Sequence, residues 1–169
     1  MVDPDTDLTV RHADLDDARA VGRLLYHFNR EFDEPAPHPD QLAERIKLLL
    51  GTGDTTVLLI GPGPDGLAVL RFRPAIWSDA LECYLAELYV VPALRGNGLG
   101  RALMEAALEH ARDRGADHMD LGTSEDDVAA RALYESLGFL NHEGGHDGTA
   151  GPVTYFYERE LPRSQSEPR

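Results

Sequence analysis

Apolar residues recur at two spacings along this chain, and the switch from one to the other divides it into elements. From Leu15 the apolar positions Ala18, Val21, Leu25 and Phe28 follow the three-to-four-residue spacing of a helix with one buried stripe. Asp14 stands ahead of it as an N-cap, and the pattern stops near Arg30. Residues 8–11 before it read as a short strand. The segment EFDEPAPHPD holds three prolines and four acids and reads as a connection, until Pro39 opens a second helix carrying Leu42, Ile46, Leu49 and Leu50, closed by Gly51. Residues 55–60 and 67–73 are rich in aliphatic and β-branched side chains on either side of GPGPDG, which predicts a hairpin. Residues 81–91 (LECYLAELYVV) give the longest strand signal, and residues 98–114 a helix with Leu99, Leu103, Ala106 and His110 on one side and Gly115 past its end. A strand at 118–122, a helix at 126–137, a strand at 139–142, a glycine-rich connection and a last strand at 153–160 complete the order βααβββαβαββ. This predicts one α/β domain over residues 8–161, with polar, disordered tails at 1–7 and 162–169.

Composition narrows what such a domain can do. The chain has 30 acidic against 16 basic residues and a formal net charge of -14, a surface that disfavours nucleic acid and suits a cationic partner. Genome-wide compositional bias explains the same numbers, so charge does not choose between them. No apolar run approaches the roughly 20 residues of a membrane span, and MVDPDTD is unlike a secretory signal; both predict a cytoplasmic protein that does not engage a membrane. Cys83, the single cysteine, falls in an apolar alternating segment and reads as a small core residue.

The glycines concentrate the chemistry. In ELYVVPALRGNGLGRALMEAALEHARDRG, which starts at Glu87, three glycines in five residues join a strand to a helix. The amides of Gly96, Asn97, Gly98, Leu99 and Gly100 then lie at the positive end of a helix dipole, an arrangement that accepts phosphate, with Arg95 at its entrance. GPGPDG matches the letters of a dinucleotide-binding loop, but Pro62 and Pro64 remove two amides and a strand follows where a helix is required, so a turn is the reading.

These residues resemble the GNAT superfamily of N-acetyltransferases. Its first signature, a strand ending V-x-P followed by R/Q-x-x-G-x-G/A, is matched by Val90–Pro92 and Arg95–Gly100; its second, A-x-x-L-Y-x-x-x-G-F, by AARALYESLGF at 129–139. Asp127 stands about where the family has Asn. The resemblance implies a mixed, mostly antiparallel sheet flanked by about four helices, its fourth and fifth strands splayed. Acetyl-CoA as cosubstrate would lie in that V, contacting Leu88, Tyr89, Val90 and Val91 on the strand, Arg95, Gly96, Asn97, Gly98, Leu99, Gly100 and Arg101 at the loop and helix start, and Asp127 and Ala130. A narrower similarity, in REFDEP from Arg30, ECYLAEL from Glu82 and the acids after Ser124, points toward gentamicin-type aminoglycoside 3-N-acetyltransferases.

Acetyl transfer to an amine needs a neutral nitrogen, and an amine of pKa about 10 is about one part in a thousand neutral at pH 7, a handicap of about 4 kcal/mol. Glu87 on the central strand is the candidate base, with Glu82 as the alternative or a substrate contact; an amide near Leu88 on a bulged strand would serve a developing oxyanion. Family position makes Tyr134 the candidate acid for the leaving thiolate. Asp33, Glu34, Glu125 and Asp126 are the candidate acceptor-binding acids, on the expectation that the two clusters could face one cleft. His142, Glu143, His146 and Asp147 could suggest a metal, but a glycine-rich connection gives them no register, and no metal is expected. Trp77 could line the acceptor site or a homodimer interface. The expected function is transfer of acetyl to a small cationic amine, aminoglycoside- or polyamine-like; the alternatives are a protein N-terminal or lysine acetyltransferase and a non-catalytic acyl-CoA-binding regulator.

Overall fold

Up to residue 137 the elements predicted from spacing appear with small shifts at their ends in a computed structural model, which describes residues 7–141. The strands are β1 (Val10–His12), β2 (Thr55–Ile60), β3 (Gly66–Pro74), β4 (Leu81–Val90) and β5 (Ala116–Leu121); the helices are α1 (Ala18–Glu31), α2 (Pro39–Gly51), α3 (Leu99–Asp113) and α4 (Val128–Ser136). The fold is α/β, with an open five-stranded sheet in the order β1-β2-β3-β4-β5, antiparallel throughout except for the parallel β4–β5 pair. The chain divides into two compact units, residues 1–124 and 125–169, and α4 belongs to the second.

In the first unit, helices cover both faces of the sheet. Ala18, Val21 and Leu24 of α1 and Ala43 and Ile46 of α2 form one core cluster with Val57, Leu59, Leu67, Val69 and Tyr89. Gly22 lets the two helices meet: a Cβ there would stand 2.6 Å from the Pro39 carbonyl oxygen. Leu58, Ile60, Ala68 and Leu70 alternate with that set and therefore face the other side, where α3 contacts all five strands. Leu103 and Met104 of α3 are fully buried, and truncating either to Ala would cost about 2–5 kcal/mol. Cys83 is also fully buried, and burial pushes its thiol pKa up to about 11, an inert core thiol as expected.

Asp14 accepts from the amides of Asp16 and Asp17 and caps a single 3-10 turn, Leu15–Asp17, that leads into α1. GPGPDG is the β2–β3 turn, closed by the Asp65 amide donating to the Ile60 carbonyl, 2.8 Å. At the other end, Phe139, Leu140 and Asn141 are not in a strand; α4 ends at Gly138 (φ 87°) and the Phe139 amide turns back to the Tyr134 carbonyl, 3.1 Å. The rest of the strand predicted at 139–142, the strand at 153–160, the tails outside 7–141 and the His142, Glu143, His146, Asp147 group lie outside the described residues.

Candidate functional site

Strand β4 is ten residues long and β5 is six, and their pairing stops at Leu85↔Leu121. From Ala86 to Val90, β4 keeps β3 on one edge and has no described strand on the other. Which main-chain groups face that open edge follows from one hydrogen bond. The Val91 amide donates to the Asp65 carbonyl on the β3 side, 2.9 Å, so by alternation Tyr89 and Glu87 also turn to β3, and Leu88 and Val90 turn to the open side. The Val90 carbonyl accepts from Arg95 Nε, 2.9 Å. A bulge interrupts the ladder just before this stretch: Val69 faces Glu87 and Leu70 faces Leu85, leaving Ala86 as the extra residue. It lies two residues ahead of Leu88, where the sequence had suggested it, because the β3 register slips between Val69 and Leu70.

The loop beyond β4 has the shape of an anion cradle. Pro92–Leu94 make one 3-10 turn, and Gly96 and Gly98 then take φ +79° and +89°, a left-handed backbone that glycine adopts without strain. Gly98 is the N-cap of α3 and supplies no side chain to it, so the first-turn amides, which have no acceptor within the helix, point outward unblocked. A Cβ at Gly96 would meet nothing within 4 Å. These features fit a diphosphate, and the open edge of β4 next to them fits an extended amide-bearing arm.

Arg95 has a role that the sequence did not suggest. Its two Nη groups donate to the Glu31 carboxylate at 2.6 and 2.7 Å, joining the last residue of α1 to the loop, and its guanidinium stands 5.6 Å from the Tyr89 ring centroid. Arg95 thus positions the cradle as much as it charges it. The Arg95 side chain holds the Glu31 carboxyl below the usual carboxylate range. Asn97 donates to the Leu94 carbonyl, 3.3 Å, within the loop, and Arg101 lies near Glu105 at 3.9 Å.

The two candidate bases differ in what holds them. Glu82 is clamped by Arg73 across the β3–β4 pair, Nε to Oε2 at 2.5 Å. Glu87 has no ion pair among the described residues, and burial pushes its pKa up from the ordinary carboxylate range. It lines a cavity of about 220 Å³ between α1, α2 and the sheet, with Ala86 and the apolar side chains Leu25, Leu42 and Leu49. Arg45 and Arg71 line the same cavity and were not singled out from sequence. The available signal was Arg71 at the strand position following the core-facing Leu67 and Val69 on one face.

Asp33 and Glu34 are exposed in the α1–α2 connection. Asp33 sits at φ 55° just past α1, where a short polar side chain is tolerated, and the Glu34 amide donates to the Asn29 carbonyl, 2.9 Å. In the second unit Asp127 caps α4 by accepting from the Ala130 amide, 3.0 Å, so both residues have a local structural partner. Glu125 offers its carbonyl to Arg131, 3.1 Å, and the Asp126 carbonyl accepts from Val128, 2.9 Å. Tyr134 is 8% exposed, and burial, then the nearby Asp127 charge, push its phenol up to about 12. Trp77 is 95% exposed in the β3–β4 connection, beside the exposed Ile76.

The pattern of the acetyltransferase (GNAT) family matches residues 21–139. The chain superposes on the crystal structure of a candidate acetyltransferase from Arthrobacter sp. FB24 with a TM-score of 0.81 and 40% identity, over 90% of this chain and 96% of that one. It is 42% identical over 101 residues to the mycothiol acetyltransferase of Thermobispora bispora, covering 58% of this chain but 28% of that protein, so it spans little more than a quarter of that relative. An aminoglycoside acetyltransferase from an uncultured soil metagenomic sample, crystallised with sisomicin, shares the fold at a TM-score of 0.71 and 16% identity, over 90% of this chain and 96% of that one. Among the described residues, no helix is long and apolar enough to cross a membrane.

Proposed function

The chain belongs to the acetyltransferase (GNAT) family, and from that premise we propose that it transfers acetyl from acetyl-CoA to the amine of a small cationic acceptor. The observation that carries this is the placement of Glu87: a half-buried carboxylate without an ion-pair partner among the described residues, one residue past the bulge and beside the edge where the main chain of β4 becomes available. Bound acetyl-CoA supplies an activated thioester carbonyl. The amides of residues 96–100 would hold its diphosphate at the α3 dipole, and the groups of Leu88 and Val90 would fix its arm. Glu87 takes the ammonium proton, directly or through water, and its raised proton affinity narrows the gap to the amine it must deprotonate. The Leu88 amide is the donor to the thioester oxygen as negative charge develops there.

Tyr134 is the hydrogen-bond donor to the departing thiolate in this reading, and the proton that makes it a thiol comes from the acylated nitrogen. With its pKa pushed up to about 12, the phenol stays protonated at working pH, and outright transfer to a thiolate of ordinary pKa about 8.5 is uphill by about 5 kcal/mol. Its contribution is therefore a hydrogen bond that stabilises the thiolate. Asp127, already capping α4, is assigned to that helix rather than to a direct coenzyme contact. Glu82, clamped by Arg73, is assigned to shaping the acceptor side and not to proton transfer.

The acceptor reading rests on the formal charge of -14 and on Asp33 and Glu34 at the end of α1. The reaction needs acetyl-CoA, so we place it in the cytoplasm. The test is thiol release from acetyl-CoA across polyamines, aminoglycosides, arylamines and peptides, read as kcat/KM. Turnover with aliphatic small-molecule amines is expected. A preference for peptides would make it a protein acetyltransferase, and silence on every amine alongside tight coenzyme binding would make it a regulator.

A further inference from the structure

The cavity beside Glu87 carries more positive charge than a simple cation site should. Arg45, exposed on α2, and Arg71, half-buried on β3, both line it, and neither forms an ion pair with a described residue. Arg71 Nε is buried and has no hydrogen-bond partner among the described residues. Asp54 feels the Arg71 charge, but its carboxylate accepts its hydrogen bonds from Thr52 and Thr55. Burial raises the pKa of Glu87, and neither guanidinium forms an ion pair with it among the described residues. The cavity thus holds one carboxylate and two cationic forks, each with unused hydrogen-bonding capacity, between apolar walls from Leu25, Leu42 and Leu49.

An occupant that brought only positive charge would meet Glu87 favourably and both arginines unfavourably. One that brought an ammonium and an oxyanion would satisfy all three, because a guanidinium pairs with carboxylate or phosphate through two parallel bonds. Arg71 lies two residues along β3 from Val69, the register partner of Glu87, and on the same face, so the two charges are diagonal neighbours on the sheet. We propose that the acceptor is an amine bearing an oxyanion, such as a carboxylate, on a short apolar skeleton, with Arg45 and Arg71 binding the oxyanion while the amine faces Glu87. This names the substrate class of the acetyl-transfer site and rests on that reading. The ammonium keeps the acceptor attractive to the acidic surface, and the oxyanion sets where it stops.

The experiment uses one aliphatic amine in three forms, bearing a carboxylate, a phosphate ester or a carboxamide, with a plain polyamine as the fourth acceptor. Each is assayed with acetyl-CoA on the full chain and on Arg45→Gln, Arg71→Gln and the corresponding Lys variants. The quantity read is the ratio of kcat/KM for the charged form over the carboxamide, in which any loss of folded enzyme cancels. The unaltered chain should favour a charged form by about a hundredfold or more, and each Gln variant should lower that ratio by about tenfold, with partial recovery in Lys. Whether carboxylate or phosphate leads identifies the oxyanion. Turnover of the carboxamide or the polyamine with no preference for a charged form, or a ratio unchanged in both Gln variants, overturns the inference and leaves acetyl transfer standing. Silence on all four acceptors overturns acetyl transfer to small amines and the inference with it.

Discussion

Replacing Gly98 separates the two things that residue does, because alanine and aspartate both strain the backbone but only aspartate brings charge. At φ +89° an ordinary L side chain costs about 1–2 kcal/mol, and Asp somewhat less. A Cβ there meets only the Leu8 methyl carbons at 3.9 and 4.0 Å, an ordinary contact, so both variants should fold and lose about 1 kcal/mol of stability. The carboxylate of Gly98→Asp would stand about 4 Å from a phosphate held by the neighbouring amides. At an effective dielectric of about 20 that repulsion is about 4 kcal/mol, falling toward about 1 kcal/mol as water enters the loop. Acetyl-CoA should therefore bind about tenfold to a thousandfold more weakly to Gly98→Asp, the loss shrinking with added salt, while Gly98→Ala loses far less. Calorimetric titration alongside thermal unfolding reads both terms. An unchanged Kd in Gly98→Asp would remove the cradle, and equal losses in the two variants would show that backbone distortion, not charge, was responsible.

Glu87→Gln should lower kcat by about a hundredfold or more and abolish an acidic limb of the rate profile lying above the ordinary carboxylate range, since Glu87 must be ionised to accept a proton. Its folded pKa is raised, so the folded state binds more protons than the unfolded and stability falls as pH rises from the unfolded to the folded value; denaturant titrations at several pH values should show the Gln variant losing that fall. Tyr134→Phe should reduce kcat with little change in coenzyme Kd, and a parental rate would make Tyr134 a packing residue. Asp33→Asn keeps a side chain suited to φ 55°, so combined with Glu34→Gln it should raise acceptor KM more than it lowers kcat and flatten the rise of KM with salt; a KM insensitive to salt in the unaltered chain would make the acidity compositional background.

What was legible in sequence was what local chemistry encodes. RGNGLG needs Gly96 and Gly98 for two positive-φ positions, Asp14 and Pro39 mark helix starts, and the near-continuous apolar runs in 55–60 and 67–73 mark strands buried on both faces. Long-range pairings were not legible. The Arg95–Glu31 pair spans 64 positions, and no pattern around Arg95 distinguishes a positioning arginine from a phosphate ligand. The bulge fell at Ala86 because it depends on how β3 and β4 register over several residues. Sequence favours Glu87 over Glu82 by strand position alone; the Arg73 clamp on Glu82 and the cavity around Glu87 depend on long-range packing. Arg45 and Arg71 passed unnoticed against the acidic total, though both stand beside apolar stripes where a charge calls for a partner.

The coenzyme site itself is tested most directly by amide hydrogen exchange followed by NMR, with and without acetyl-CoA. Saturating acetyl-CoA should slow exchange at Leu88 and Val90, on the open edge of β4, and at the amides of residues 96–100, in one concentration-dependent transition, leaving the GPGPDG turn at 61–66 unaffected. Protection confined to other parts of the chain, or none at Leu88 and in the loop despite measurable binding, would contradict the site described.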